Sequence, residues 1–379
     1  MNPDVRATVL GDQVLRVAGG GRIAAVQLAR ERGYFVQFVR ASHLCTATVD
    51  ATTGEVTAVV DHGELPSKLD ESQQRRWETP AEVQLTSGIH DLAKAHHDAA
   101  AAYAATDAGV ALVALRAGKL QQETNIKTGF GTTRHVAAVP GGVIGATSDG
   151  HVFRHDHDGR RVWHVRLHVT SLAADSVGER LLLGTDAGDV QVHARTGEVI
   201  GRSSGKAVRA AAFLANGDRV LTGERGTLQV LGGDGSLRWS WRQPERPERL
   251  WVQGGRVYLA GEGGLKEIVV GQGVVCRWPS DEAVTAAVVA GGTVFTCGRH
   301  VRQFGYATAA DRGQLPDLPT PPRSMTLLKT GGPAPGGPAP GGPAPGGRTS
   351  TGSDQGGRWL LVAYGDGKLA AWRLAQPQR

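Results

Sequence analysis

The chain has 379 residues, of which 40% are hydrophobic and 21% charged, a composition typical of folded globular proteins rather than disordered ones. Its net charge is +6, yet it contains no run of five basic residues and no basic–aromatic ladder, so a nucleic-acid role is not expected. No apolar run reaches 18 residues, and Asp4 and Asp12 interrupt the region where a secretory signal would be apolar. We therefore expect a cytoplasmic protein that does not bind membranes.

The first predicted elements are short strands. Residues 13–17 form one, and residues 34–60 (YFVQFVRASHLCTATVDATTGEVTAVV) contain apolar runs separated by turn residues, which is typical of hairpin-linked strands. We interpret residues 34–60 as a weak copy of a unit that recurs along the chain. The strand over residues 13–17 is left over, and we expect it to pair with the C-terminal strands.

An insertion over residues 63–83 interrupts this pattern. It contains a potential helix cap, acidic residues near the expected start of the helix, and Arg75 and Arg76 near its end, so it predicts a short helix. Two interpretations stay open. The helix packs on a neighbouring sheet through Leu69 and Trp77, or it binds a protein partner through Leu69, Arg75, Arg76 and Trp77.

A four-strand unit then recurs to the end of the chain. Its anchor glycines are separated by 35 to 41 residues: Gly109, Gly150, Gly188, Gly226, Gly263 and Gly298. Each copy has apolar runs joined by turns such as Asn216-Gly217 and Asp234-Gly235, which suit the positive φ of tight hairpins. In the copy around residues 170–201, four strands are predicted: TSLAADS, RLLLGTD, DVQVHA and GEVIGR.

One hairpin of this array is rich in histidine. Alternation places His151 and His155 on one face of a strand, and the next strand brings His164 close. With Asp156 or Asp158 these imidazoles form a possible zinc or nickel set. The alternative is that they are exposed or hydrogen-bonded histidines without a metal.

Two other histidine–aspartate groups resemble parts of a catalytic triad. They are His90-Asp91 and His96-His97-Asp98. A triad also needs a nucleophile, and the chain has no G-x-S-x-G elbow to supply one. We therefore expect neither an enzyme nor a cofactor. Cys45, Cys276 and Cys297 lack C-x-x-C spacing and fall in predicted strands, so we interpret them as packing residues.

The segment at residues 331–357 repeats Gly-Gly-Pro-Ala-Pro and has no large apolar side chain. Such a segment buries too little surface to offset its ordering entropy. We predict a disordered loop between two strands of the last copy.

Each four-stranded copy is apolar on both faces, so it must stack on further copies, as the blades of a β-propeller do. We predict an all-β protein in which residues 1–379 form a single β-propeller domain of about eight four-stranded blades, with seven as the alternative. Pairing of an N-terminal strand with the C-terminal blade would close the ring and remove two free sheet edges.

The copies ending DHDGRRVWHV, ARTGEVIGRS and GGDGSLRWSW resemble the quinoprotein (PQQ-like) repeat, in which a turn precedes a strand ending on Trp. Trp163, Trp239 and Trp278 match that Trp, whereas Gly201 does not. The segment YGDG followed by LAAW, residues 364–372, is similar to WD repeats. The resemblance implies a propeller fold and carries little functional information.

The resemblance implies a cytoplasmic interaction platform more than a quinone enzyme, because no calcium or quinone ligands can be placed on this sequence. We expect a non-catalytic scaffold for protein–protein interaction, acting as a monomer or within a hetero-complex of a bacterial ATPase-associated system. The alternative is an enzyme or a ligand or metal receptor that uses the channel mouth.

Overall fold

The computed structural model describes residues 22–29, 33–40, 43–50, 53, 55–64, 79–223, 226–242, 247–253, 255–290, 292–306, 309, 311–316, 319–330 and 357–374. Every regular element in these ranges is a β-strand. No membrane-spanning helix is found in this described part of the chain.

Seven four-stranded antiparallel blades form a ring, so the predicted β-propeller is confirmed. Within each blade the strands follow one another from the channel outward. Blade 1 contains β6 (Ile89–Lys94), β7 (Ala101–Thr106), β8 (Gly109–Arg116) and β9 (Lys119–Lys127). Blade 2 contains β10 (Thr133–Val139), β11 (Gly142–Thr147), β12 (His151–Asp156) and β13 (Arg161–Arg166). Blade 3 contains β14 (Ser171–Ala174), β15 (Arg180–Thr185), β16 (Gly188–His193) and β17 (Val199–Ser204).

The remaining blades repeat this order. Blade 4 contains β18 (Val208–Phe213), β19 (Arg219–Gly223), β20 (Thr227–Leu231) and β21 (Leu237–Arg242). Blade 5 contains β22 (Pro247–Gln253), β23 (Arg256–Gly261), β24 (Gly264–Val269) and β25 (Gly273–Trp278). Blade 6 contains β26 (Ala286–Ala290), β27 (Thr293–Cys297), β28 (Val301–Gly305) and β29 (Asp311–Gln314). Blade 7 contains β30 (Pro322–Lys329), β31 (Arg358–Tyr364), β32 (Lys368–Leu374) and β5 (Ala81–Gln84).

As expected, an N-terminal strand closes the ring, but this strand is a different segment from the one predicted. Strand β5 pairs antiparallel with β32, with Val83 opposite Leu369, so an N-terminal strand completes the C-terminal blade. Residues 13–17, the segment expected in this position, lie outside the described residues. The prediction failed here because the last residues of the supposed insertion, 81–83, are themselves part of the closing strand.

The smaller of the two expected blade counts is the one observed. The larger count included the N-terminal copy, which instead forms a separate four-stranded sheet ahead of the ring. Its strands are β1 (Arg22–Ala29), β2 (Gly33–Arg40), β3 (His43–Asp50) and β4 (Val56–Glu64). Since β5 already supplies the last strand of blade 7, the ring is complete without this sheet.

The repeat predicted the blades themselves well. The four strands predicted around residues 170–201 are β14 to β17. Each anchor glycine lies in the turn before the third strand of a blade or is the first residue of that strand, and two of them cannot carry a side chain. A Cβ on Gly109, at φ 134°, would lie 2.2 Å from the Ile126 carbonyl oxygen, and one on Gly188, at φ 128°, 2.0 Å from that of Ser203. Both positions require glycine because the outer strand approaches the backbone too closely.

The hydrophobic core lies between neighbouring blades rather than in one centre. Strands β7, β8, β11 and β15 are buried along nearly their whole length, as expected for the middle strands of stacked sheets. Tryptophans of the outer strands form hydrogen bonds with the neighbouring blade. Trp163 Nε1 of blade 2 donates to the Ala194 carbonyl oxygen at 2.9 Å, and Trp278 Nε1 of blade 5 donates to that of Gly305 at 3.2 Å.

Residues 65–78 and 331–356, which contain most of the two predicted interruptions, lie outside the described residues. The predicted helix and the predicted disordered loop therefore stay predictions. The two residues that flank the second segment are hydrogen-bonded to each other: the Thr330 amide donates to the Gly357 carbonyl oxygen at 2.9 Å. It is inserted between β30 and β31, the first two strands of blade 7, as the sequence predicted.

Candidate functional site: the central channel and its mouths

The innermost strands of all seven blades surround a cavity of about 760 Å³ on the ring axis. These strands are β6, β10, β14, β18, β22, β26 and β30. They run in the same direction, so all of them begin at one mouth and end at the other. We call the mouth where they begin the upper mouth and the mouth where they end the lower mouth.

Five innermost strands carry a β-bulge at the same place, next to the upper mouth. In each, one residue is skipped in the pairing with the second strand: His90, Arg134, Arg209, Glu248 and Arg323. A bulge leaves the extra residue unpaired and redirects its side chain. The ring therefore presents three arginines, one histidine and one glutamate at equivalent positions around this mouth.

Arg249 crosses the upper mouth from blade 5 to reach blades 7 and 1. Its Nη2 donates to Asp91 Oδ1 on β6, and its Nη1 donates to Ser324 Oγ on β30 at 3.1 Å. The Ser324 hydroxyl in turn donates to Asp91 Oδ1 at 3.3 Å, and the Asp91 carboxylate also accepts the Leu92 amide at 2.9 Å. Because the Val136 amide of blade 2 also donates to Asp91 Oδ2 at 3.3 Å, groups from four blades engage this carboxylate.

A second polar chain joins blades 1 and 2 beside this network. Arg134 Nη1 lies 3.1 Å from His90 Nδ1, and His90 Nε2 lies 2.7 Å from Asp107 Oδ1. Because the guanidinium can only donate, His90 Nδ1 accepts and Nε2 donates to Asp107. The hydrogen bond from His90 holds the pKa of Asp107 below its ordinary value, while burial opposes this. Burial lowers the pKa of nearby His135, and the Asp91 charge partly offsets that effect.

The lower mouth has a different character. Lys94 ends β6 and Lys329 ends β30, so the two ammonium groups come from neighbouring blades and both line the cavity. Burial and the charge of Lys329 lower the pKa of Lys94. Arg358 is the cross-strand neighbour of Lys329 and adds a third cation. Within the described residues, no carboxylate forms an ion pair with any of the three.

The predicted histidine set is assembled only in part. His151 Nδ1 lies 2.6 Å from His164 Nε2, and both rings stack on Phe130 with centroid distances of 4.3 and 4.6 Å. His155 shares their face of the strand but is buried and packs its ring against Phe153, 5.1 Å away.

No group of three or more His, Cys, Asp or Glu side chains within the described ranges is placed to hold a metal ion. The structure therefore supports a histidine pair on the surface, and a metal at His151, His155 and His164 stays a prediction. Burial, His151 and Arg161 lower the pKa of His164, which keeps one imidazole neutral to accept the hydrogen bond.

The other histidine–aspartate groups separate into different roles. His90 pairs with Asp107 rather than with its neighbour Asp91. Asp98 lies 2.5 Å from Arg116 Nη2, whose hydrogen bond lowers the pKa of Asp98 against the opposing effect of burial. In neither group does a described serine or cysteine contact the imidazole, so no nucleophile–base pair forms there.

The two thiols that the structure describes, those of Cys276 and Cys297, are unsuited to nucleophilic chemistry. Cys297 is buried, and burial raises its pKa to about 12. Burial also raises the pKa of Cys276 to about 11. Both groups stay protonated near neutral pH and act as packing residues, as predicted.

The residues around the channel were missed by the sequence analysis because they come from seven separate strands. A signal was nevertheless present. Aligned on the anchor glycines, five of the seven copies place a charged residue or a histidine directly after the first residue of the innermost strand, as in Thr133-Arg134 and Pro322-Arg323. The insertion residues Leu69, Arg75, Arg76 and Trp77 lie outside the described residues, and their partner-binding role stays a prediction.

No protein-family model matches this chain, and no curated protein is similar to it at a significant level. The fold and the geometry of the channel are therefore the basis on which a function can be assigned.

Proposed function

We propose that this protein is a non-catalytic scaffold whose upper mouth binds an acidic surface of a protein partner. One observation carries the proposal. Repeated bulges place Arg134, Arg209 and Arg323 at equivalent positions around a single opening. Guanidinium groups form paired hydrogen bonds with carboxylates, so three arginines against the one carboxylate of Glu248 at these positions favour an acidic partner.

The arrangement of these arginines supports binding more than internal stabilisation. Arg323 is exposed, and its guanidinium makes no ion pair within the described residues. Arg134 is exposed too, and its contact is with a ring nitrogen of His90 rather than with a carboxylate. Both side chains stay available to an acceptor that approaches along the channel axis.

The scaffold is favoured over an enzyme by the chemistry at the same mouth. Ser324 is buried and hydrogen-bonded to Asp91 and Arg249, and no described imidazole lies within hydrogen-bonding distance of its hydroxyl. The Asp91 carboxylate accepts hydrogen bonds from Arg249 and from the Leu92 and Val136 amides, so these structural contacts already occupy it.

The finer parts of the proposal rest on the resemblance. Trp163 and Trp278, the outer-strand residues that fasten neighbouring blades, are two of the three that match the quinoprotein-like repeat. This supports membership of the quinoprotein-like or WD-repeat superfamily. Within that superfamily we propose a place in a bacterial ATPase-associated assembly, so the expected partner includes an AAA-type ATPase or a protein bound to it.

The test is a cross-linking pull-down from native lysate with the full chain and three variants. The double variant Arg134→Glu/Arg323→Glu reverses charge at the upper mouth. The matched control, Arg160→Glu/Arg195→Glu, reverses two exposed arginines in the hairpins that lie at the opposite end of the blades. A third variant lacks residues 65–78 and tests the predicted helix of the insertion.

We expect a stoichiometric partner to be lost from the upper-mouth variant and kept by the control. Cross-links should join the partner to residues around the upper mouth. Equal retention by both double variants would contradict the proposed surface. Loss only from the deletion variant would move the binding surface to the insertion.

A further inference from the structure

We propose that the lower half of the channel binds an organic anion, with its carboxylate or phosphate between Lys94 and Lys329 and its apolar body in the cavity. This site goes beyond the scaffold function and lies at the opposite mouth. The two proposals can therefore fail independently.

The charges that line the cavity are unbalanced in a way that points to an anion. Asp91 is the one carboxylate among the lining residues that the structure describes, and Arg249 already neutralises it at the upper mouth. Lys94 and Lys329 remain, with no described ion-pair partner and with Arg358 nearby. Two cations held next to each other in a partly closed space repel, and a bound anion would convert this repulsion into attraction.

Burial and mutual repulsion also lower the pKa of Lys94. This is the direction expected of an ammonium group that lies close to another positive charge. A bound anion would reverse it, because an opposite charge favours the protonated form.

The wall of the cavity suits an apolar body. Aliphatic side chains from six of the innermost strands or their ends line it: Leu92, Leu172, Leu214, Val252, Val288 and Leu327. Its volume of about 760 Å³ lies within the range of small-molecule sites, which combine mostly apolar walls with a few polar groups. The cavity therefore has room for an aliphatic chain or an aromatic ring behind the anionic group.

The experiment is isothermal titration calorimetry of the full chain with four probes: octanoate, octyl phosphate, octylamine and acetate. The first two carry the proposed chemistry, and the stronger of them identifies the preferred anionic group. Octylamine keeps the apolar body but reverses the charge. Acetate keeps the charge but lacks the body.

We expect at least one of the two anions to bind and to bind about tenfold or more tightly than octylamine or acetate. The double variant Lys94→Met/Lys329→Met should weaken that anion by about tenfold or more, since methionine keeps the length of the side chain and removes the charge. The matched control Lys119→Met changes an exposed lysine at the β8–β9 turn, away from the axis, and should leave the affinity unchanged.

Three results would overturn the proposal. They are equal binding of octylamine and the anions, unchanged affinity in the double variant, and no binding of either anion. Acetate binding as tightly as octanoate would overturn the role of the apolar wall. All three substituted side chains come from strand ends or turns, so circular dichroism and thermal melting should match the unsubstituted protein and confirm that the fold is intact.

Discussion

Two aspartate–arginine pairs in the described part of the chain each join different blades, and they differ in their access to water. Asp189 of blade 3 and Arg219 of blade 4 are 0% and 2% exposed, with Arg219 Nη1 donating to Asp189 Oδ2 at 2.5 Å. Asp91 and Arg249 are 8% and 31% exposed, and their contact lies at the upper mouth of the channel. The same chemistry therefore occurs once inside a blade interface and once on the wall of a site.

The two pairs also differ in how completely their polar atoms are hydrogen-bonded and in how much desolvation they cost. The closed pair is incompletely satisfied, because Asp189 Oδ1 and Arg219 Nε have no hydrogen-bond partner within the described residues. Its desolvation cost is therefore large, and its main effect is to fix how blades 3 and 4 meet. The open pair is less desolvated and well satisfied, so it can shape the mouth at a lower cost to stability.

The largest expected effect comes from breaking the closed pair on one side. Arg219→Met leaves Asp189 buried and uncompensated, and should lower the free energy of unfolding by about 3–5 kcal/mol. Urea denaturation followed by circular dichroism measures it. The double variant Asp189→Leu/Arg219→Met should regain most of this loss, because apolar pairs replace buried ion pairs at little or no cost. A single variant within about 1 kcal/mol of the unsubstituted protein would show that the interface tolerates the charge.

Breaking the open pair should cost less. Arg249→Met removes charge-assisted hydrogen bonds to Asp91 and Ser324, but Asp91 keeps its bonds from the Leu92 and Val136 amides and stays in reach of water. We expect a loss of about 1–2 kcal/mol, below the value for a buried pair because the guanidinium is partly exposed. The same denaturation series measures it. A loss as large as that of Arg219→Met would mean that the two pairs do not differ in the way described.

The smallest effect should come from a carboxylate that is still more exposed. Asp107 is 49% exposed, and its folded pKa is lowered by the hydrogen bond from His90. Its stabilising effect is therefore complete above the unfolded carboxyl value of about 3.9 and is lost as the pH falls through the lower folded value.

We expect Asp107→Asn to remove this pH-dependent contribution to the free energy of unfolding, which is about 0.2–1 kcal/mol for an exposed pair. Unfolding free energies of the two proteins, measured between neutral pH and about pH 3, should converge toward the acid end. A difference between them that grows as the pH falls would contradict the assigned direction.

The sequence predicted the blades because each blade is a local unit. Apolar runs, glycine turns and a fixed spacing are all contained within about 40 residues, so β14 to β17 were found by inspection. The blade count depended on one question that local pattern cannot answer, namely which N-terminal strand pairs with β32. Residues 81–84 have no feature that separates them from the neighbouring insertion.

The candidate site was harder to predict for the same reason. The contact between His151 and His164 lies within one hairpin, and strand alternation was enough to bring the two imidazoles together. The network of Asp91, Arg249 and Ser324 joins residues from three blades. Such contacts form only when the ring closes. In the sequence, only the number of repeats indicates that closure.

Ring closure by β5 also sets an order of events during synthesis. The strand leaves the ribosome before blade 1, whereas its partner β32 emerges after all the other strands of the ring. Until then blade 7 lacks its outer strand and the ring has two open flanks. Such long-range pairing is slow, and it leaves strand edges open to pairing with other chains. Residues 81–84 are therefore where a delay in translation or a truncated chain should first produce domain-swapped or aggregated protein.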